Sequence, residues 1–107
     1  MRLVTAAQMF KALSDVTRLR ILALLQLREM NGTQIADILK VPRGRVARHL
    51  RYLYKTWLVT TRRAANETDY SLRTAEYPLH KAVRRQIVRR LDCLEQIQRD
   101  LRGVRSE

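Results

Sequence analysis

Arg43, Arg45, Arg48, Arg51 and Lys55 stand close together in the stretch from Pro42 to Trp57, and no carboxylate interrupts them. Guanidinium groups at this density suit the capture of phosphates and guanine edges, because each planar fork donates two parallel hydrogen bonds to a paired acceptor. Between them, Val46, Leu50, Leu53 and Trp57 recur at i, i+4, i+7 and i+11, the spacing that lines one side of an α-helix with apolar groups. Gly44, Arg48, Arg51, Tyr52 and Lys55 fall on the opposite side at 3.6 residues per turn. The pattern predicts a helix over about 42–56 with one face in a core and a basic outer face built to enter DNA. Pro42 suits its first turn, where free N–H groups can meet a phosphate.

Other chemistries are poorly supplied. No Ser/His/Asp, Cys/His or paired-carboxylate set stands out and neither glycine-rich loop motif occurs, so no enzyme and no cofactor is expected. The single cysteine, Cys93, forms no intrachain disulfide and no Cys-x-x-Cys knuckle. It reads first as a small, semi-buried hydrophobe. Its functional alternative is a thiol sensor: two copies meet and form an intersubunit disulfide or hold a thiophilic ion, with Arg89 and Arg90 within one turn lowering the thiol pKa. Asp92 and Glu95 share one helical face, but His80 lies about 18 Å away at 1.5 Å per residue, which argues against a tetrahedral metal site. His49 sits beside the core stripe and reads as a packed or capping histidine, and Tyr52 and Tyr54 receive no special role.

Composition points the same way. The chain has 107 residues, enough for one domain with a modest core that a second copy would enlarge. Its 22 Lys plus Arg against 10 Asp plus Glu give a net charge of +12, which favours a polyanionic partner. The excess is concentrated: from Ile38 to Asn66 there are cations but no Asp or Glu. The most apolar stretch, Ile21 to Leu27, is too short for a membrane span or a secretory signal, so a cytoplasmic protein is expected.

The elements that must position the basic helix can be read in order. Leu3, Ala6, Phe10 and Leu13 predict an amphipathic helix over about 3–13. Ser14 and Asp15 offer cap oxygens to a nearly all-round apolar helix from Val16 to Gln26. Asn31-Gly32 breaks that helix, and Thr33 is placed to cap the next one, with Ile35, Ala36, Ile38 and Leu39 inside. Lys40-Val41 turns the chain into the basic helix, which completes a helix-turn-helix. A wing over about 58–72 follows, with alternating strands, Arg62 and Arg63 near the tip, and Asn66 as the φ > 0 residue of the turn. Pro78 opens a long last helix over about 78–102, striped by Leu79, Val83, Ile87, Leu91, Leu94, Ile97 and Leu101, and that stripe wants a partner.

The run Ser14-Asp15-Val16-Thr17-Arg18-Leu19-Arg20-Ile21-Leu22 resembles the Asp-Pro-Thr-Arg-Leu-Arg-Ile-Leu signature of the ArsR/SmtB family of bacterial winged-helix repressors. Val46-Ala47-Arg48-His49-Leu50-Arg51-Tyr52-Leu53 with Trp57-Leu58-Val59 is similar to a second family pattern, and the likeness covers roughly residues 9 to 73. The resemblance implies a mainly α winged helix-turn-helix with a small β-hairpin wing, a homodimer joined through its first and last helices, and binding to an inverted repeat in a promoter. It also implies release by a metal ion or another chemical signal. Asn31 and Thr33 stand where arsenic and lead sensors of the family carry Cys-x-Cys, so that site is absent.

By the same resemblance, the base-reading positions are Arg43, Gly44, Ala47 and Arg48. Gly44 and Ala47 carry no hydrogen-bonding side chain, which shifts specific readout to Arg43 and Arg48, each able to pair with guanine O6 and N7. Arg45, Arg51, Lys55, Arg62 and Arg63 are assigned to phosphates, and Thr33 and Gln34 to the DNA backbone as well. The sequence reading is therefore a single domain, 1–107, acting as a homodimeric repressor on double-stranded DNA, with no membrane and with an unidentified small-molecule or protein effector. The alternative is a small basic interaction module of the antitoxin or anti-repressor type that docks an acidic partner.

Overall fold

The computed structural model describes residues 1–74 and 77–105. Its elements run α1 (Leu3–Leu13), α2 (Val16–Leu27), β1 (Met30–Asn31), α3 (Gly32–Leu39), α4 (Arg43–Lys55), β2 (Val59–Ala64) and β3 (Glu67–Leu72). A last helical segment comprises α5 (Pro78–Ala82), a π-helical turn (Val83–Ile87), a 3₁₀ stretch (Val88–Cys93) and α6 (Glu95–Arg105). The strands form one antiparallel sheet in the order β1-β3-β2. The molecule is a winged helix-turn-helix, mainly α with a small β wing, as the sequence pattern predicts. Among the described residues no helix is long and apolar enough to cross a membrane.

Everything packs around α2. Ile21, Leu22, Ala23, Leu24 and Leu25 are consecutive and all buried, the arrangement an all-round apolar helix requires. Asp15 starts it by accepting from the Arg18 backbone N–H at 3.0 Å. Two arginines of the signature run then act as clamps. Arg18 donates from Nε to the Ala12 carbonyl at 2.8 Å and lays its guanidinium over the Tyr52 ring at 4.4 Å, which joins the end of α1 and the flank of α4 to α2. Arg20 forks onto the Asp100 carboxylate at 2.8 and 2.9 Å and donates to the Leu39 carbonyl at 3.1 Å, which joins α6 and the end of α3.

Local details differ from the sequence reading for identifiable reasons. The cap of α3 is Asn31, not Thr33: Asn31 Oδ1 accepts from the Gln34 N–H at 2.8 Å while Gln34 Oε1 accepts from the Asn31 N–H at 2.9 Å. This reciprocal capping box lets Met30–Asn31 remain extended and pair with Tyr70 and Asp69 as a third strand. Trp57 is not on the α4 stripe, because the helix ends at Lys55 and Thr56 Oγ1 folds back onto the Tyr52 carbonyl at 2.9 Å. Trp57 takes φ 71° and holds the Arg73 guanidinium over its ring at 4.3 Å. In the wing turn the left-handed residue is Ala65, φ 56°, rather than Asn66.

Two stripes face differently from expectation. In α1 the core takes Ala6, Met9 and Ala12, which leaves Leu3 and Phe10 exposed. The predicted continuous helix over 78–102 is instead interrupted, and its exposed apolar residues are Leu79, Ile87 and Leu94. A stripe repeating every four residues drifts off a 3.6-residue helix, and the core keeps Val83 and Leu91 of it but takes Val88 where Ile87 was expected. The π turn brings Val83 and Val88, five apart, onto one side. Extended backbone at Leu94 (φ −86°, ψ 140°) then redirects the chain so that α6 buries Ile97, Leu101 and Val104.

Candidate nucleic-acid interface

The basic helix forms because its two faces are sorted. Val46, Leu50 and Leu53 are buried at 1% exposure or less, so the register of α4 is fixed by the core, and Arg43, Gly44, Arg45, Arg48, Arg51 and Lys55 are left exposed on the outside. No side chain caps its first turn, where Pro42 stands at the N-cap, so the leading N–H groups point outward. The axial rotation is further held by Arg18, whose Nη1 donates to His49 Nδ1 at 3.4 Å. Burial lowers the His49 pKa, Asp15 opposes that, and Arg18, Arg45 and Arg48 reinforce it, so the ring is kept neutral as an acceptor. His49 is a packing residue, as its place beside the core stripe suggested.

The wing sorts its two arginines by strand alternation. Directly opposed residues share a face, and the register pairs Thr61 with Tyr70, Arg62 with Asp69, and Arg63 with Thr68. Thr61, Thr68 and Tyr70 line clefts against α4, so Arg63 stands on the α4 side of the wing. Arg62 faces the other way. Its guanidinium is paired with Glu29, Nε lying 3.2 Å from Oε2, and lies 3.5 Å from Asp69. The pairing holds the Glu29 carboxyl below its usual range and raises Arg62. The two wing arginines therefore part company, a distinction invisible in the adjacent pair Arg62-Arg63.

Between the helix and the wing lie two clefts. One of about 340 Å³ brings together Thr33 of α3, Arg43 and Ala47 of α4, and Asn66, Glu67, Thr68 and Tyr70 of the wing. The other, about 280 Å³, joins Arg51, Tyr54 and Lys55 to Thr61 and Tyr70. The structure thus gathers the predicted Thr33, Arg43, Ala47, Arg51 and Lys55 with Arg63 on one side, and leaves Arg45 and Arg48 on the open outer face of α4. Gln34 is occupied in the capping box. Thr68 and Tyr70 were missed by the sequence reading, and the alternation of β3 was the signal that could have found them. Cys93 is exposed rather than semi-buried, since the 3₁₀ stretch turns Val88 and Leu91 inward and Cys93 out. Among the described residues no three His, Cys, Asp or Glu side chains come together as a metal site.

The model of the bacterial regulatory protein arsR family matches residues 15–61, from the α2 cap through the basic helix into the wing. Over that segment the chain is similar to the helix-turn-helix of ArsR-family regulators. Solved structures agree along most of its length. HlyU from Vibrio cholerae is similar at 26% identity and a TM-score of 0.70, over 85% of this chain and 95% of that one. A homodimeric winged helix-turn-helix DNA-binding domain from Mycobacterium bovis, described as a possible ArsR-family transcriptional regulator, matches at 26% identity and a TM-score of 0.69, over 87% of each chain. NolR from Sinorhizobium fredii matches at 29% identity and a TM-score of 0.64, over 74% of this chain and 77% of that one. No curated protein sequence matches. Family and fold are those of transcriptional regulators rather than enzymes. Within this ArsR-type frame α4 occupies the recognition-helix position and β2–β3 the wing.

Proposed function

We propose that the protein is a homodimeric transcriptional repressor that binds a near-palindromic promoter site in the cytoplasm and competes there with RNA polymerase. The observation that carries this reading is the acid-free, outward face of α4, held in register by a buried stripe and flanked on the same side by Arg63 of the wing. Two such helices, related by a dimer axis, enter successive major grooves about 34–36 Å apart. Arg43 and Arg48 read guanine edges, while Arg45, Arg51, Lys55 and Arg63 fix register on phosphates.

Dimerisation has a physical motive in the single chain. Leu3 is 87% exposed, with Val4 and Phe10 beside it on α1 and Leu79, Ile87 and Leu94 on the last segment. Such apolar exposure on the first and last helical elements favours a second copy over water. The double variant Phe10→Glu with Ile87→Glu is expected to sediment as a monomer and to bind promoter DNA at least about tenfold more weakly, since two linked half-sites gain affinity over one. A variant that stays dimeric would refute this interface.

Gel shifts with the protein's own upstream intergenic DNA, against random DNA at equal salt, test the function itself. Arg43→Ala is expected to lose about 1–3 kcal/mol on the specific site and little on random DNA, relaxing preference at one base pair. Arg51→Ala weakens both alike. Equal binding of wild type to specific and random DNA contradicts sequence-specific repression and favours docking of an acidic protein partner instead.

A further inference from the structure

The last helical segment holds cations that the recognition helix does not use. Lys81, Arg84, Arg85 and Arg89, with Gln26 from the end of α2 and Thr74 after β3, line a cleft of about 370 Å³. Its size falls among small-molecule sites, about 300–1,000 Å³. Among the described residues no carboxylate lines it. On the other side of Arg85 and Arg89, a second cleft of about 420 Å³ contains Gln86, Arg90 and Asp92, so there an acid opposes anion binding.

The convergence follows from the irregular helix. In a regular α-helix, residues five apart diverge by about 140° at 3.6 residues per turn. The π turn closes a hydrogen bond between positions five apart, from the Val88 N–H to the Val83 carbonyl, and so brings such positions nearer to one side. Val83 and Val88 are both buried, and the next residues in the chain, Arg84 and Arg89, both reach the cleft wall. Arg84 is half-buried and fixed, its Nη1 donating to the Arg73 carbonyl at 3.0 Å, while Arg73 is itself stacked on Trp57 at 4.3 Å. Lys81, Arg85 and Arg89 are exposed around it. Four like charges about one cleft repel one another, and an anion carrying several charges relieves that repulsion.

We propose that this cleft binds a small oligophosphate anion, with its phosphoryl oxygens held by the Arg84, Arg85 and Arg89 guanidiniums and the Lys81 ammonium, and with Gln26 and Thr74 supplying neutral polar contacts. Arginine forks match phosphoryl oxygens in bidentate geometry. A single orthophosphate would leave much of the volume to water, which favours a chain of two or more phosphoryl groups. The cleft shares no lining residue with those between α4 and the wing.

Titration calorimetry of the full chain with sodium pyrophosphate, against sodium sulfate at matched ionic strength, tests the site. Saturable binding at least about tenfold tighter than sulfate is expected, and Arg85→Ala with Arg89→Ala weakens it at least about tenfold, a difference calorimetry resolves easily. Arg51→Ala leaves pyrophosphate binding unchanged, and thermal melts confirm that the double variant folds. Pyrophosphate binding no tighter than sulfate, or unchanged in the double variant, overturns the proposal. A gel shift without pyrophosphate distinguishes the other source of phosphate. If the double variant loses as much DNA affinity as Arg51→Ala, the cleft belongs to the DNA backbone contact and the proposal fails.

Discussion

Raising salt from 50 to 200 mM is expected to weaken binding of the proposed dimer to the proposed promoter site by about 10³–10⁵-fold, because six to ten phosphate contacts release that many condensed counterions. The count follows from geometry. Arg45 on the outer face of α4, Arg51 and Lys55 beside the wing, and Arg63 on the α4 side of the wing supply four cations per protomer. Arg62 is not among them, since Glu29 and Asp69 already neutralise it. Arg63→Ala is therefore expected to reduce the slope of log K against log salt by about 0.9 for each phosphate released, two per dimer, whereas Arg62→Ala leaves it nearly unchanged. A gel-shift titration in potassium chloride measures both. A shallow salt response in wild type would count against the whole interface, and equal slopes for the two wing variants would count against the sorting of the wing by strand alternation.

Asp100→Ala is expected to cost about 3 kcal/mol of stability, because it leaves the Arg20 guanidinium largely buried without its carboxylate. The Asp100 and Arg20 side chains are 5% and 17% exposed, and the carboxylate also accepts from Gln96 Nε2 at 3.0 Å, so solvent has little room to substitute. At about 4 °C per kcal/mol for a domain of this size, Tm falls by roughly 12 °C at fixed protein concentration. Arg20→Met with Asp100→Leu regains part of the loss by removing both charges, though not the hydrogen bond to the Leu39 carbonyl. Calorimetry reads both variants. A drop of under about 3 °C for Asp100→Ala would mean that apolar burial of Ile97 and Leu101, rather than this pair, holds α6 in place.

The sites of agreement and failure share one logic. Contacts within one turn of a helix or across one strand pair were legible: the buried stripe of α4, the Asp15 cap, the apolar α2 and the hairpin. Thr33 was misread as the α3 cap because Asn31 and Thr33 are both good caps, and only the pairing of Met30–Asn31 with β3 decided between them. Arg20 and Asp100 stand 80 positions apart, and no local pattern announces that a surface-type residue in α6 is buried against a signature arginine. The signature itself was recognised as a motif, yet its arginines could not be assigned as clamps until their partners were in view.

By itself, the sequence determined the winged helix-turn-helix, the basic face of α4 and the expected polyanionic partner, because periodicity and charge are properties of neighbouring residues. Only the tertiary structure decided which of two adjacent wing arginines faces the recognition helix, since a one-residue step in a strand reverses the face. Only it broke the last helix as well. The core buries Val83, Val88 and Leu91 together across a π turn, and Arg84 and Arg89 beside them line one cleft.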